Sequence, residues 1–315
     1  MGEQEAGAFF SAAAALELVV TGDELRPGAS GWRAAKQAAA RRHLTAPRPE
    51  LDGHSWLQAV VAERLGEWAR SRGEARRALV EQGLARLAGR PLQPVPVPPG
   101  AQQALAPVRW LLTRAGEGRG IALTEVGNLN RPTVIEAVRR FDWHPLPDPP
   151  RGEDDVFELW ALRDLVRELG AVRRSGRWLV ATHAGRALAG DSEALWYAVA
   201  HRLGSGHDFA AIVTELALLL LVDAGQVAEA SLVERVTAAV VGEGWHERTS
   251  GQPPDPQTVR GQLAAPLRLL EVLGLRRAGG DWRTRWVALT EPGRALALEA
   301  LRARATGSRP DPRGP

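Results

Sequence analysis

The sequence predicts a mostly α-helical protein with short β-hairpins, in which a helical N-terminal domain precedes two copies of one helix–hairpin–helix unit. Three observations predict it. Residues 177–189 (Arg-Trp-Leu-Val-Ala-Thr-His-Ala-Gly-Arg-Ala-Leu-Ala) and 285–297 (Arg-Trp-Val-Ala-Leu-Thr-Glu-Pro-Gly-Arg-Ala-Leu-Ala) agree at eight of thirteen positions. Each block follows an apolar helical stretch ending in Leu-Gly, Leu169-Gly170 and Leu273-Gly274, and then two arginines, Arg173-Arg174 and Arg276-Arg277. A Pro-rich run separates both copies from a leading region that shows helical periodicity and no strand pattern. An internal repeat decides the architecture before any local assignment does.

The expected divisions are a helical domain over 1–91, a Pro-rich linker over 92–100, a first unit over 101–205, a second over 206–305 and a disordered tail over 306–315. In the leading region the candidate helices are Ala8–Val20, Gly31–His43, Ser55–Arg70 and Glu74–Leu87. Among Trp56, Val60, Ala62, Leu65 and Trp68, spacings of three and four dominate, as one helix face requires. Residues 92–99, Leu-Gln-Pro-Val-Pro-Val-Pro-Pro, read as a stiff polyproline-like spacer.

The first unit opens with a helix from Gln102 to Ala115, broken by Gly116, Gly118 and Gly120. Ile121–Thr124 is a short strand candidate. Asn130 is a helix N-cap with Pro132 in the first turn, and that helix runs to Phe141. A third helix starts at Asp154 or Asp155 and stops at Gly170, since glycine takes the left-handed conformation that ends helices. Ser175-Gly176 reads as a two-residue hairpin turn, and Gly185-Arg186 opens a last helix. The second unit repeats the plan with helices Phe209–Ala224, Ser231–Val241 and Gln257–Leu273, the last carrying Pro266 inside it. It lacks a counterpart of the Leu123-Thr124…Gly127-Asn128-Leu129 segment, and its hairpin is longer by four residues around Gly279-Gly280-Asp281-Trp282.

Composition narrows the function classes. All but one of the 40 basic residues are arginine, Lys36 being the exception, and net charge is only +3. The isoelectric point of about 10.3 reflects the scarcity of groups that titrate between neutrality and arginine, not a large positive charge. No cysteine is present, which excludes disulfides and thiolate metal sites and fits a reducing, cytoplasmic setting. The N-terminus, Met-Gly-Glu-Gln-Glu, has no basic region and does not read as a signal peptide. The most apolar run, 210–224, carries Glu215 and Asp223 and is shorter than the roughly 18 residues a membrane span requires, so it reads as a core helix.

The order helix, Leu-Gly stop, basic hairpin, Thr, Gly-Arg, helix resembles the winged-helix branch of the helix-turn-helix superfamily, present in tandem. More narrowly, Leu123-Thr124, Gly127, Leu129, Pro132, Leu162, Arg163, Leu169, Thr182, Gly185, Arg186, Leu188 and Leu195-Trp196 are similar to a block in uncharacterised winged-helix proteins of high-GC actinobacteria. The resemblance implies two winged-helix units and an expectation of double-stranded DNA as partner, in transcription regulation. In such a unit the third helix enters the major groove and the hairpin touches the backbone.

The candidate DNA-binding residues are arginines, whose fork suits both guanine and phosphate. In the first unit they are Arg163 and Arg167 on the third helix, with Arg173, Arg174 and Arg177 on the hairpin. In the second they are Arg260 and Arg268, then Arg276, Arg277, Arg283 and Arg285. The first third helix also carries Asp154, Asp155, Glu158, Asp164 and Glu168, which repel phosphates, so backbone contact by the hairpins is favoured over groove reading by the helices. Trp178 and Trp286 hold equivalent hairpin positions. Base stacking is one role for them, and covering the end of a core is the preferred one.

Nothing in the sequence supports catalysis. The Gly116–Gly120 run lacks the Lys-Ser/Thr ending of a phosphate loop. The seven histidines have no metal-ligand spacing and read as surface or capping residues, and neither a serine nucleophile elbow nor a lysine-bearing nuclease pattern occurs. The expectation is a non-enzymatic protein without metal, cofactor or membrane. The rival reading is a scaffold that uses the same units to dock a protein partner, including as an accessory subunit of a mobile-element or defence system.

Overall fold

The structure is a computed structural model, and it describes residues 45–70, 73–87, 94–143, 148–206, 208–281 and 284–307. The expected helices Ala8–Val20 and Gly31–His43, the pair Trp282 and Arg283, and residues 308–315 of the tail lie outside the described residues. Helices dominate, with two small antiparallel three-stranded sheets. No single helix among the described residues is long and apolar enough to cross a membrane.

Two helices, α1 (Trp56–Ala69) and α2 (Glu74–Leu87), represent the leading region. Ser55 starts α1 with a reciprocal cap, its hydroxyl accepting from the Gln58 N–H while the Gln58 side chain accepts from the Ser55 N–H. The region is not a body apart. α2 packs on helices Phe209–Asp223 and Glu229–Gly242 of the second unit and α1 on its last helix, Glu291–Thr306, and Trp68 and Val80 belong to the same buried core as the repeats.

Residues 94–99 are extended, as the prolines dictate, but they are strapped down. The Val95 N–H donates to Glu299 at 2.8 Å, and its carbonyl accepts from the Tyr197 hydroxyl at 3.2 Å.

One run of elements then occurs twice. The first is α3 (Ala101–Ala104), α4 (Ala106–Gly116), β1 (Ile121–Ala122), α5 (Arg131–Phe141), α6 (Phe157–Glu168), β2 (Val172–Ser175), β3 (Trp178–Ala181), α7 (His183–Gly190) and α8 (Ser192–Gly204). The second is α9 (Phe209–Asp223), β4 (Val227–Ala228), α10 (Glu229–Gly242), α11 (Pro256–Val272), β5 (Arg276–Gly279), β6 (Trp286–Leu289) and α12 (Glu291–Thr306). The sheets have the orders β1-β3-β2 and β4-β6-β5, with equivalent strands in equivalent places. The strand without a sequence counterpart in the second unit is therefore present as β4. It pairs Val227 with Val287 and needs only two residues to do so.

Several local signals act as read. Asn130 caps α5 by accepting from the Thr133 N–H, and Gly170 at φ 62° and Gly274 at φ 63° end α6 and α11. Other boundaries move. Residues 153–155 form a 3₁₀ turn and α6 begins only at Phe157. The pair Ser175↔Trp178 leaves Gly176-Arg177 as the hairpin turn, one residue later than expected. The single expected last helix of the first unit is two, because Asp191 caps α8 with both the Glu193 and the Ala194 N–H.

Thr182 and Thr290, not Gly-Arg, open the helices after the hairpins. Each threonine hydroxyl accepts from the N–H of the glycine three residues on, Gly185 or Gly293. Each also donates back to the carbonyl at the start of its hairpin, that of Ala171 or Leu275. The glycines are steric requirements: a Cβ on either would stand 1.9 Å from that same carbonyl oxygen. The repeated Thr-x-x-Gly is thus a clasp that fastens the last helix to the foot of the hairpin.

Between units, equivalent elements meet. α6 lies against α11, and α8 crosses α12 so closely that a Cβ on Gly204 would stand 2.2 Å from the Ala300 carbonyl oxygen.

Candidate nucleic-acid interface

β2 is an outer strand of its sheet, and beyond the buried Val172 both of its faces are open to solvent: Arg173, Arg174 and Ser175 are all exposed. Arg174 donates through Nε to the Gly176 carbonyl at 2.9 Å, which holds the guanidinium near the turn. Gly127, in the loop after β1, lies beside it, with space for a Cβ at 3.4 Å from the Arg174 Nη1. Arg177, in the turn, is 65% exposed, and its nearest carboxylate, Glu125, is 3.9 Å away. Arg173, Arg174 and Arg177 are therefore all exposed on the free edge and turn of one hairpin, Arg173 and Arg174 on opposite faces of the strand.

The second hairpin does not reproduce this cluster. Arg276 is buried, and its guanidinium is bound to Glu271 on α11. Arg277 is exposed. Arg285 donates to Glu229 at 2.9 Å while remaining half exposed. Arg283 lies outside the described residues. The difference follows from register. Counted from the Leu-Gly stops, Arg276 stands where Val172 stands, Arg277 where Arg173 stands and Ala278 where Arg174 stands. Side chains alternate along a strand, so a shift of one residue turns an arginine inward.

The arginines of the third helix are committed elsewhere. Arg163 donates to Glu153 at 2.7 Å and to the Gly127 carbonyl at 3.0 Å, fastening the loop after β1 to α6. Glu153 is itself buried and also accepts from the Leu129 N–H at 2.7 Å. Burial pushes its carboxyl up, with Asp154 and Asp164 adding to the effect and the Leu129 N–H and Arg163 only partly opposing it. Arg167 is exposed and pairs with Asp164. Glu168 pairs with Arg202 at 2.8 Å. Because α6 and α11 lie against each other, the expected insertion of each third helix into a groove conflicts with what the helices cover: part of the surface it needs is occupied by its equivalent. Phe157 and Trp160 remain 42% and 47% exposed on α6, and the Arg268 guanidinium sits 5.1 Å over the Phe157 ring.

Trp178 and Trp286 are half buried at matching positions of the central strands. The Trp286 ring lies under Gly279, where a Cβ would come within 2.8 Å of it, so this ring is held flat against its own hairpin.

The strongest electrostatic features were not legible as sites. Glu215, within the apolar run of α9, is buried and accepts from the Trp68 indole at 3.0 Å, from Arg76 and from Arg304. Burial works to raise its carboxyl, but the Arg304 and Arg76 charges and their hydrogen bonds overcome it, and the group titrates below the ordinary carboxylate range. Glu299 on α12 collects Arg302, His201 and the Val95 N–H in the same way, so His201 is a partner of a buried carboxylate and not a surface residue. A glutamate inside a Leu-rich helix is the one sequence signal for the first cluster.

No family model, curated protein or solved structure matches this chain.

Proposed function

We propose that the protein is a non-enzymatic, winged-helix DNA-binding protein acting in regulation, and that it holds duplex DNA by its phosphate backbone through the first hairpin, with the second assisting. The observation that carries this reading is that Arg173, Arg174 and Arg177 are all exposed on one hairpin, none with a carboxylate within hydrogen-bonding distance among the described residues. Support also comes from the sheet order and helix order, which are those expected of a winged helix, in both units. Phosphate contact demands only placed positive charge, which the hairpins offer. Arg277 and Arg285 supply the contact of the second unit; Arg163 and Arg276 have no part in it.

Fluorescence anisotropy with a labelled duplex over a range of salt tests the reading. Each phosphate contact contributes about 0.9 to the slope of log K against log salt. Changing Arg173, Arg174 and Arg177 together to alanine is expected to lower that slope by about 2 to 3. Binding that is absent, or whose slope the triple variant leaves unchanged, overturns the proposal.

A second reading, docking of a protein partner, is favoured by one observation: the paired third helices leave Phe157 and Trp160 exposed while occupying each other's groove-reading surface. Recovery of a stoichiometric protein complex that survives nuclease treatment, with no DNA binding, selects it.

A further inference from the structure

One face of α11 carries Arg260, Leu263, Ala264, Leu267, Arg268 and Glu271, the 3-and-4 spacing of a single helical stripe. That stripe lines a concave cavity of about 460 Å³, half open to solvent and bordered by the start of α10, by Arg276 and Arg285 of the second hairpin and by Phe157 from the first unit. The size falls in the range of small-molecule sites.

The charges of the lining are unbalanced. Four arginines, Arg260, Arg268, Arg276 and Arg285, face two carboxylates, Glu229 and Glu271. The carboxylates are taken by Arg285 and Arg276. Arg260 bonds only the neutral Gln257 side chain, and Arg268 rests on the Phe157 ring, so neither has a carboxylate partner among the described residues. A further observation is independent of the surface arginines. Arg276 is only 9% exposed, and its Nε is fully buried with no hydrogen-bond partner. Buried donors in folded proteins are nearly always satisfied. The remaining wall is apolar, formed by Val233, Leu263 and Leu267 beside an aromatic ring.

We propose that this cavity is a binding site for a small amphipathic anion: a carboxylate or phosphate head held by Arg260 and Arg268 with Arg276 behind them, and an apolar or aromatic body against Phe157 and the leucines. The site does not rest on the DNA reading: its head-group arginines, Arg260 and Arg268, take no part in that reading, although Arg285, assigned there to a phosphate contact, also lines the cavity. The head group needs forked donors, and arginine presents them in a plane matched to carboxylate or phosphate oxygens. The body displaces water from an apolar wall, which inorganic anions cannot do.

Isothermal titration calorimetry of the full chain with phenyl phosphate and with benzoate tests the site, with inorganic phosphate and phenol as the head-only and body-only controls. Saturable one-to-one binding of at least one aromatic anion is expected, about tenfold or more tighter than inorganic phosphate, with phenol silent. Loss of one charge-assisted hydrogen bond is worth about tenfold, so Arg260→Gln and Arg268→Gln should each weaken binding by that much. Both positions reach the helix surface, and an unchanged melting curve shows that the fold is kept. Arg167→Gln, at an exposed position outside the cavity, should bind as the parent does. No saturable heat with either aromatic anion, inorganic phosphate binding as tightly as phenyl phosphate, phenol binding as tightly as the anions, or unaltered affinity in both glutamine variants overturns the proposal.

Discussion

At the scale of single residues, two kinds of position bear most of the structure. The first is the pair Gly185 and Gly293, whose α-carbons press on the carbonyls of Ala171 and Leu275. The obstacle is backbone already engaged by a threonine hydroxyl, so it cannot swing away. Gly185→Ala and Gly293→Ala should each destabilise by about 2 kcal/mol or more, the cost of overpacking against an unyielding neighbour. Gly261→Ala, mid-helix with nothing within 4 Å of its Cβ, should instead stabilise by about 0.5–1 kcal/mol. Urea denaturation of the three variants checks both signs. The second kind is Glu215. Its folded carboxyl titrates below the unfolded value, so its contribution is present in full above the ordinary carboxyl value of 4.5 and is lost as pH falls through the folded value. Glu215→Gln leaves the buried Arg304 without its counter-charge and Arg76 with Glu243 alone, and should cost about 3–5 kcal/mol near neutrality. The stability gap to the parent should narrow as pH is lowered below 4.5. Glu153 has the opposite sign: its raised carboxyl favours the folded state at low pH, and that contribution is lost as pH rises through the folded value.

At the scale of elements, what was legible in the sequence was what is local. Ser55, Asn130 and the two Leu-Gly stops place helix ends because a cap acts on N–H groups, or a glycine stop on carbonyls, within a few residues of itself. The four extra residues of the second hairpin appear as a connection of 280–285 against 176–177. What was not legible depends on which way a side chain turns. The arginine pairs Arg173-Arg174 and Arg276-Arg277 look equivalent by composition, yet Leu169-Gly170 and Leu273-Gly274 set them one residue out of step, and Arg276 falls inside. Arg163 looks like a helix-surface cation and is instead the bolt between α6 and the loop after β1. The pairing of α6 with α11 has no local signature at all. The register argument makes a prediction by exchange. Arg276→Val puts the residue of the first unit into the second and should change stability by no more than about 1 kcal/mol, since Glu271, the partner left behind, is half exposed and is solvated by water in place of the guanidinium. Val172→Arg has no such excuse. The residue four before Gly170's successor Ala171, in the place of Glu271, is Arg167, so the incoming guanidinium meets a cation and should cost more than about 2 kcal/mol. Equal effects of the two substitutions in urea denaturation refute the register assignment.

At the scale of the whole molecule, the repeats do not behave as beads on a string. Equivalent helices meet across the chain, α6 with α11 and α8 with α12, as in a dimer joined into one polypeptide. The buried residues form one continuous cluster from Trp68 to Ala305. The second unit owes much of its interior to others. Its α9 gives Glu215 to Trp68 and Arg76 of the leading helices, and its α12 gives Glu299 to His201 of the first unit and to the Val95 N–H of the Pro-rich strap. Arg64 on α1 closes the end of α12 by donating to the Thr306 carbonyl. Cutting the chain at 205 would expose the Ala300 crossing and leave both carboxylates buried or half solvated with fewer partners, at a cost of several kcal/mol apiece against a total stability of only about 5–15 kcal/mol. The isolated segment 206–305 should therefore fail to fold cooperatively, while the whole chain should unfold in a single transition whose calorimetric and van't Hoff enthalpies agree. A sharp melt of 206–305 near the temperature of the parent, or two resolved transitions in the parent, would show instead that each repeat is a domain in its own right.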